Sequence, residues 1–163
     1  MDVFETAMKM EQDGRQYYLD NAAKTDNPTL KRVLMELAGD ELKHYNIFKA
    51  MRDHQPAEYK QTEKTTIFAT VKNVFETLKA EGKDFSAASK AQHVWETARE
   101  VEKKSEAFYR EKAAGLTDEK QKAILQAIAD EEHRHWVSLE QVMQFLDHPR
   151  QWLEDAEWSK LED

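Results

Sequence analysis

Apolar residues recur at helical spacing in four long stretches of this chain. Over 2–24 the stripe is Val3, Phe4, Ala7, Met8, Met10, Tyr17, Tyr18 and Ala22, and steps of three and four residues predict an amphipathic helix. Asp26, Asn27 and Pro28 break it, and Pro28 suits the first turn of a second helix. That helix runs to 53 on Leu30, Val33, Leu34, Leu37, Ala38, Leu42, Tyr45, Ile47 and Phe48. So short a break makes the two helices antiparallel neighbours. A third stretch covers 87–114, with Ser86 as its N-cap. Gly115 ends it, and Thr117 is read as the cap of a fourth helix. The fourth continues through Ile124, Leu125, Ile128, Ala129, Trp136, Leu139, Val142 and Met143 to 147, where His148-Pro149 stops it.

Between the helix pairs 2–53 and 87–147 lies a crossover, 54–86. Ile67, Phe68, Val71, Val74, Phe75 and Leu78 mark a short helix within it, ended by Gly82. Trp152, Leu153, Ala156, Trp158 and Leu161 predict a short C-terminal helix over 149–161. The expectation is therefore all-α: one domain over 1–163, a four-helix bundle with one long crossover, which is the ferritin-like topology. So long a crossover also has the reach to swap helix pairs with a second copy. With the apolar faces on 67–78 and 152–161, it points to a homodimer.

Composition agrees. Gly (4) and Pro (3) are scarce, which suits long helices and few turns. Charged residues make up 34% but the signs are mixed, so the outer faces are wet and disorder is not indicated. A net charge of −8 without a basic stripe disfavours nucleic acid and anionic membrane as partners. No run of apolar residues is long enough to span a membrane. Helical pattern starts by Val3, with no room for a signal peptide. Cytoplasm is the expected location. Zero Cys excludes disulfides, CxxC metal sites and thiol chemistry.

The two helix pairs are related. Residues 3–11 read VFETAMKME and 94–102 read VWETAREVE; extended without a gap to 49 and 140, the copies share 13 of 47 positions. Among the shared positions are Glu11/Glu102, Glu41/Glu132 and His44/His135. Each pair thus offers one Glu and, 30 residues on, a Glu-x-x-His. Used twice, that set is the ligand pattern of a two-metal carboxylate site in a four-helix bundle. Duplicated glutamates on outer faces are the alternative. The faces oppose it: Glu11 is aligned with Met8 and Tyr18, Glu41 lies among Leu37, Ala38 and Tyr45, and Glu132 among Ile128, Ala129 and Trp136. Carboxylates on apolar stripes are costly unless paired or metal-bound. Two divalent ions need anionic oxygens to offset and bridge them, plus neutral nitrogen ligands. Glu41 and Glu132 are the expected bridges, Glu11 and Glu102 terminal ligands, with His44 and His135 one on each metal. Six ligands for two ions leave open positions, as a reactive site requires.

The neighbours repeat as well. Asp40 and Glu131 precede the bridging glutamates. Metal-bound His donates its other N–H to an acceptor, so Asp40 is expected to reach His135, and Glu131 His44. Tyr18 and Tyr109, seven residues after a terminal Glu, are expected to bond the terminal carboxylate of the facing helix. Glu41, Glu132, Tyr18 and Tyr109 are the groups expected nearest the chemistry. His54, His93, His133 and His148 lack partners at ligand spacing and read as surface groups. The four Trp, with Met8, Met10 and Met35, read as packing.

At these residues the chain resembles the rubrerythrin-like diiron branch of the ferritin-like superfamily, over roughly 3–145. The resemblance implies two iron ions, with Mn or Zn able to take their place, and reduction of hydrogen peroxide or oxygen in protection against oxidative stress. Two departures stand out. Typical rubrerythrins carry a rubredoxin-like domain with CxxC pairs, and this sequence has no Cys, so electrons would come from a separate donor such as rubredoxin. They also carry an extra Glu one turn after the third helix's ligand, where this chain has Ser105; Glu106 lies about 100° off that face. Three rivals stay open. They are a non-enzymatic, ferroxidase-like iron-handling protein, a bundle in which metal is sensory or structural, and a dimanganese catalase-like enzyme.

Overall fold

The computed structural model describes residues 2–57, 59, 64–82 and 92–148. Among them are five α-helices and no strand: α1 (Val3–Lys24), α2 (Pro28–Arg52), α3 (Ile67–Glu81), α4 (Gln92–Ala114) and α5 (Glu119–Asp147). The expected C-terminal helix over 149–161, residues 87–91 and the proposed Ser86 cap lie outside the described residues.

The helix ends follow from their capping residues. The Asp2 carboxylate accepts from the Glu5 N–H at 2.8 Å. Asn27 Oδ1 accepts from the N–H groups of Thr29 and Leu30 at 2.9 and 3.0 Å, and Pro28 occupies the first turn. Both caps satisfy amides that a helix start leaves unpaired. At α5 the cap is Asp118, which accepts from the Gln121 N–H at 3.0 Å, and not Thr117 as expected. A carboxylate there also complements the positive helix end. Gly82 ends α3 in the left-handed region, φ 62°, where a side chain would be strained.

Two apolar clusters fix the path of the chain. One joins Tyr18, Leu34, Trp95 and Leu146 with the buried face of α3: Ile67, Val71, Val74, Phe75 and Leu78. The other joins Met8, Phe48, Met51, Tyr109, Leu125 and Ile128. The first cluster takes the C-terminal halves of α1 and α5 and the N-terminal halves of α2 and α4; the second takes the opposite halves. So α1 and α5 run one way, and α2 and α4 the other. The end of α2 and the start of α4 lie at opposite ends of the bundle, and the crossover must travel its length. This is a ferritin-like helical bundle, with α1 on α2, α4 on α5, and α3 laid across α2 and α5. No helix among the described residues is long and apolar enough to cross a membrane.

Three readings of the apolar pattern need correction. Leu42 is 39% exposed and Met35 46%, because the apolar arc of α2 is narrower than its count of apolar residues. Trp136 is half-buried on the outside of α5, stacked on His133 with ring centroids 6.1 Å apart. The apolar face of 67–78 is buried in this chain's own core, so it no longer argues for a dimer.

Candidate metal centre

Between the two apolar clusters, at mid-height, every helix of the two pairs turns polar side chains inward. Glu11 comes from α1, Glu41 and His44 from α2, Glu102 from α4, and Glu132 and His135 from α5. All six are at most 4% exposed. The i, i+3 step puts Glu and His of each Glu-x-x-His on one helix face. The groups close into two overlapping clusters. Glu11, Glu41, His44 and Glu132 offer atoms that all lie within 4.8 Å of one another, as do Glu41, Glu102, Glu132 and His135. Glu41 and Glu132 belong to both. The imidazoles face each other, ring centroids 6.1 Å apart and 26° from parallel.

In each ring Nδ1 points inward and Nε2 outward. His44 Nδ1 lies 2.9 Å from Glu132 Oε1 and 3.5 Å from Glu11 Oε1. His135 Nδ1 lies 3.3 Å from Glu102 Oε1 and 3.6 Å from Glu41 Oε1. On the outer side, His44 Nε2 meets Glu131 Oε1 at 3.1 Å and His135 Nε2 meets Asp40 Oδ2 at 2.8 Å. Both pairings expected from the sequence are present, each reaching across from one helix pair to the other. The tyrosines cross over too: Tyr18 donates to Glu102 and Tyr109 to Glu11, the latter at 2.7 Å.

The interior of the site is not satisfied by hydrogen bonds. Seven buried atoms have no such partner: Glu11 Oε2, Glu41 Oε1, His44 Nδ1, Glu102 Oε2, both oxygens of Glu132, and His135 Nδ1. The close approaches to Nδ1 are off the direction of a hydrogen bond. Buried polar atoms left unpaired cost free energy, and here all seven face one small volume. Four carboxylates and two imidazoles fit a pair of divalent cations, which would satisfy these atoms and offset the charge.

The electrostatics of the metal-free cluster are under the same tension. Burial, then the neighbouring Glu11, Glu132 and Glu102, push the Glu41 carboxyl well above the ordinary range. Burial, then Glu102 and Glu11, do the same to Glu132. Burial alone would lower His44, but the Glu11 charge, the hydrogen bond to Glu131 and the adjacent Glu132 carboxylate outweigh it and raise it well above the usual value. His135 is raised likewise, burial being outweighed by Glu102 and Asp40. Glu102 is also buried, yet His135, Glu132 and Tyr18 hold it low. Like charges at this distance cannot all ionise without a counter-cation.

Several residues that the sequence did not single out also shape the site. Tyr59, in the crossover, donates to Glu131 Oε2. Thr65 donates to Asp40 Oδ2 and accepts from the Ile67 N–H at 3.1 Å. Lys43 Nζ lies 3.1 Å from Asp40 Oδ1. Gly14 is buried in α1 facing Glu41, and a Cβ there would stand 3.0 Å from Glu41 Oε2. A mid-helix glycine in a chain with four was the available signal. The position matching Gly14 in the repeat is Ser105, also buried, while Glu106 turns away to Arg110 and His133, at 2.8 and 3.0 Å. His54, His93, His133 and His148 are exposed.

No curated protein and no solved structure is significantly similar to the chain. The family model described as Rubrerythrin matches residues 2–143.

Proposed function

The chain belongs to the rubrerythrin family, and from that premise we propose that it is a cytosolic diiron-carboxylate oxidoreductase that reduces hydrogen peroxide or oxygen. One observation carries the reading: two overlapping four-residue clusters converge on seven buried atoms without hydrogen-bond partners. In this reading the six residues would hold two metals, with Glu41 and Glu132 common to both clusters, Glu11 and Glu102 as terminal ligands and one imidazole, His44 or His135, for each metal. Two irons, when bound, supply the two electrons that cleave an O–O bond.

The protein's own residues define where that chemistry occurs. Apolar clusters above and below the site keep bulk water out, which strengthens every charge interaction inside. Tyr18 and Tyr109 hold the terminal carboxylates by their hydroxyls and keep their own protons, since burial and adjacent carboxylates raise both phenols well above the usual range. Asp40 and Glu131 orient the imidazoles and fix the proton on Nε2, leaving Nδ1 free to bind. Reducing peroxide to two waters consumes two electrons and two protons. With no cysteine for a thiolate iron centre, the electrons would come from a separate carrier such as rubredoxin. A homodimer belongs to the same reading, supported by Met35 and Leu42, both exposed and two turns apart on α2.

A second reading has one observation in its favour. Ser105 stands where the resemblance calls for a further glutamate, so a residue tied to turnover in that resemblance is missing here. Anaerobic metal analysis followed by peroxide titration of the ferrous-loaded protein separates the two. The proposal expects two irons per chain, oxidised by one equivalent of peroxide, and cycling once a reduced carrier is added. Iron uptake without reaction toward peroxide favours the handling role. Endless disproportionation without a donor favours a catalase-like site.

A further inference from the structure

The crossover cannot avoid the metal centre. Because α2 ends and α4 begins at opposite ends of the bundle, the chain between them passes mid-height, where the six inward groups lie. Among the described residues it makes two side-chain hydrogen bonds there, and they do not fall at random. Tyr59 donates to Glu131 Oε2, whose other oxygen meets His44 Nε2 at 3.1 Å. Thr65 donates to Asp40 Oδ2, the oxygen that meets His135 Nε2 at 2.8 Å. One crossover hydroxyl thus stands behind each imidazole.

Each carboxylate is held at both oxygens. Glu131 is fully buried, with His44 on one oxygen and Tyr59 on the other. Asp40 has Lys43 at 3.1 Å on Oδ1, with Thr65 and His135 on Oδ2. Thr65, 1% exposed, also accepts from the Ile67 N–H, so its own proton is directed at Asp40. A carboxylate fixed at two points cannot rotate, and neither can the imidazole that donates to it. Without the crossover hydroxyl, Glu131 would keep a buried acceptor with no partner and one restraint fewer.

We propose that Tyr59 and Thr65 are positioning residues, each setting the imidazole of one metal position through the carboxylate between them. The crossover, and not the four long helices alone, then decides the relative affinities of the two positions. This rests on reading the paired clusters as metal positions. Tyr59 acts on the His44 position and Thr65 on the His135 position, although the two are only six residues apart in the chain.

The test uses the full chain and cobalt(II), whose visible absorption reports ligand geometry. Tyr59→Phe, Thr65→Val and Thr65→Ser are titrated in the intact chain and also with His135→Ala or His44→Ala, each of which leaves one imidazole. With His135→Ala, Tyr59→Phe should weaken cobalt binding about three- to tenfold and shift the band, below the roughly 10- to 100-fold cost of losing an imidazole's direct partner. Thr65→Val should change nothing there. With His44→Ala the outcomes reverse, and Thr65→Ser, which keeps the hydroxyl, restores both affinity and spectrum. In the intact chain Tyr59→Phe and Thr65→Val should each alter one of two binding steps, and Thr65→Ser neither. The inference is overturned if helicity is kept while Tyr59→Phe and Thr65→Val leave affinity and spectrum unchanged, or if each disturbs both positions alike. A parent chain that takes up no cobalt would overturn the metal-centre reading itself, and this inference with it.

Discussion

The two halves of the candidate metal centre share their inner groups and the tyrosines on their terminal carboxylates, and differ in what stands behind the imidazoles. On the His44 side the imidazole meets Glu131, backed by Tyr59; on the His135 side it meets Asp40, backed by Thr65 and Lys43. Facing Glu41 there is no side chain at Gly14, whereas the matching position across the repeat is Ser105. Duplication explains the shared part, since each helix pair repeats Glu and Glu-x-x-His. The differing part comes from diverged positions within the repeat and from Tyr59 and Thr65, in a crossover that exists once. A single copy cannot treat two equivalent sites equally. In the proposed reading, two metal positions built from repeated ligands would be made inequivalent by an unrepeated segment.

The comparison can be broken most severely at its shared members. Glu41→Ala and Glu132→Ala should each abolish binding of both metals, while Glu11→Ala and Glu102→Ala should each cost one. Metal analysis after gel filtration decides, and two tightly held ions in either bridging variant would sink the assignment. Removing the metals altogether should lower the melting point. At a free metal concentration a hundredfold above Kd the bound form gains about 2.7 kcal/mol, or roughly 5–10 °C. An unchanged melting point after chelation would mean that the carboxylates do not depend on a cation.

The pH dependence of the metal-free protein should be next in size. Glu41 and Glu132 are raised, as are His44 and His135. The folded form then binds more protons than the unfolded one, and its stability falls as pH rises. The fall begins above about 4.3 for the glutamates and about 6.5 for the histidines and ends at the raised values. Asp40 and Glu131 act in the opposite sense: both are lowered, so their contribution is lost as pH drops below the ordinary carboxylate range. Thermal scans of metal-free protein should show a maximum on the acidic side of neutral. Metal-loaded protein should lack the decline toward alkaline pH, and a decline of equal slope in both would refute the account.

Smaller effects should separate the halves. Gly14→Ala should gain about 1 kcal/mol of helix propensity in the metal-free protein yet weaken metal binding, because its Cβ would stand 3.0 Å from Glu41 Oε2. Ser105→Ala, at the matching position, should leave binding nearly unchanged. Equal loss in both would show that the two positions are equally crowded. In the rate of reaction with peroxide, the smallest effects should come from Tyr18→Phe and Tyr109→Phe. Each removes one hydrogen bond to a carboxylate, worth about 1.5–3 kcal/mol at most, and each should slow reaction with peroxide less than loss of His44 or His135.

What the sequence revealed of this centre follows the same division. Glu11, Glu41, His44, Glu102, Glu132 and His135 are legible because helices turn spacing into direction and the repeat doubles every signal. Asp40 and Glu131 are legible for the same reason, one residue along. Tyr59 and Thr65 are not, because they lie in an irregular stretch that carries no periodicity and is represented once. Leu42, Met35 and Trp136 were misjudged for a related reason: an apolar residue at the margin of a helical stripe satisfies the pattern without reaching the core.

Each cluster takes three groups from one helix pair and one from the other: Glu132 joins Glu11, Glu41 and His44, and Glu41 joins Glu102, Glu132 and His135. Neither hairpin holds a complete set. A chain emerging from the ribosome would finish its first hairpin with only three of the four groups in reach, and the fourth arrives only when the second hairpin docks. In the proposed diiron reading, iron capture would be deferred to the last step of assembly, and a half-made or misdocked chain would have little means of holding a reactive metal.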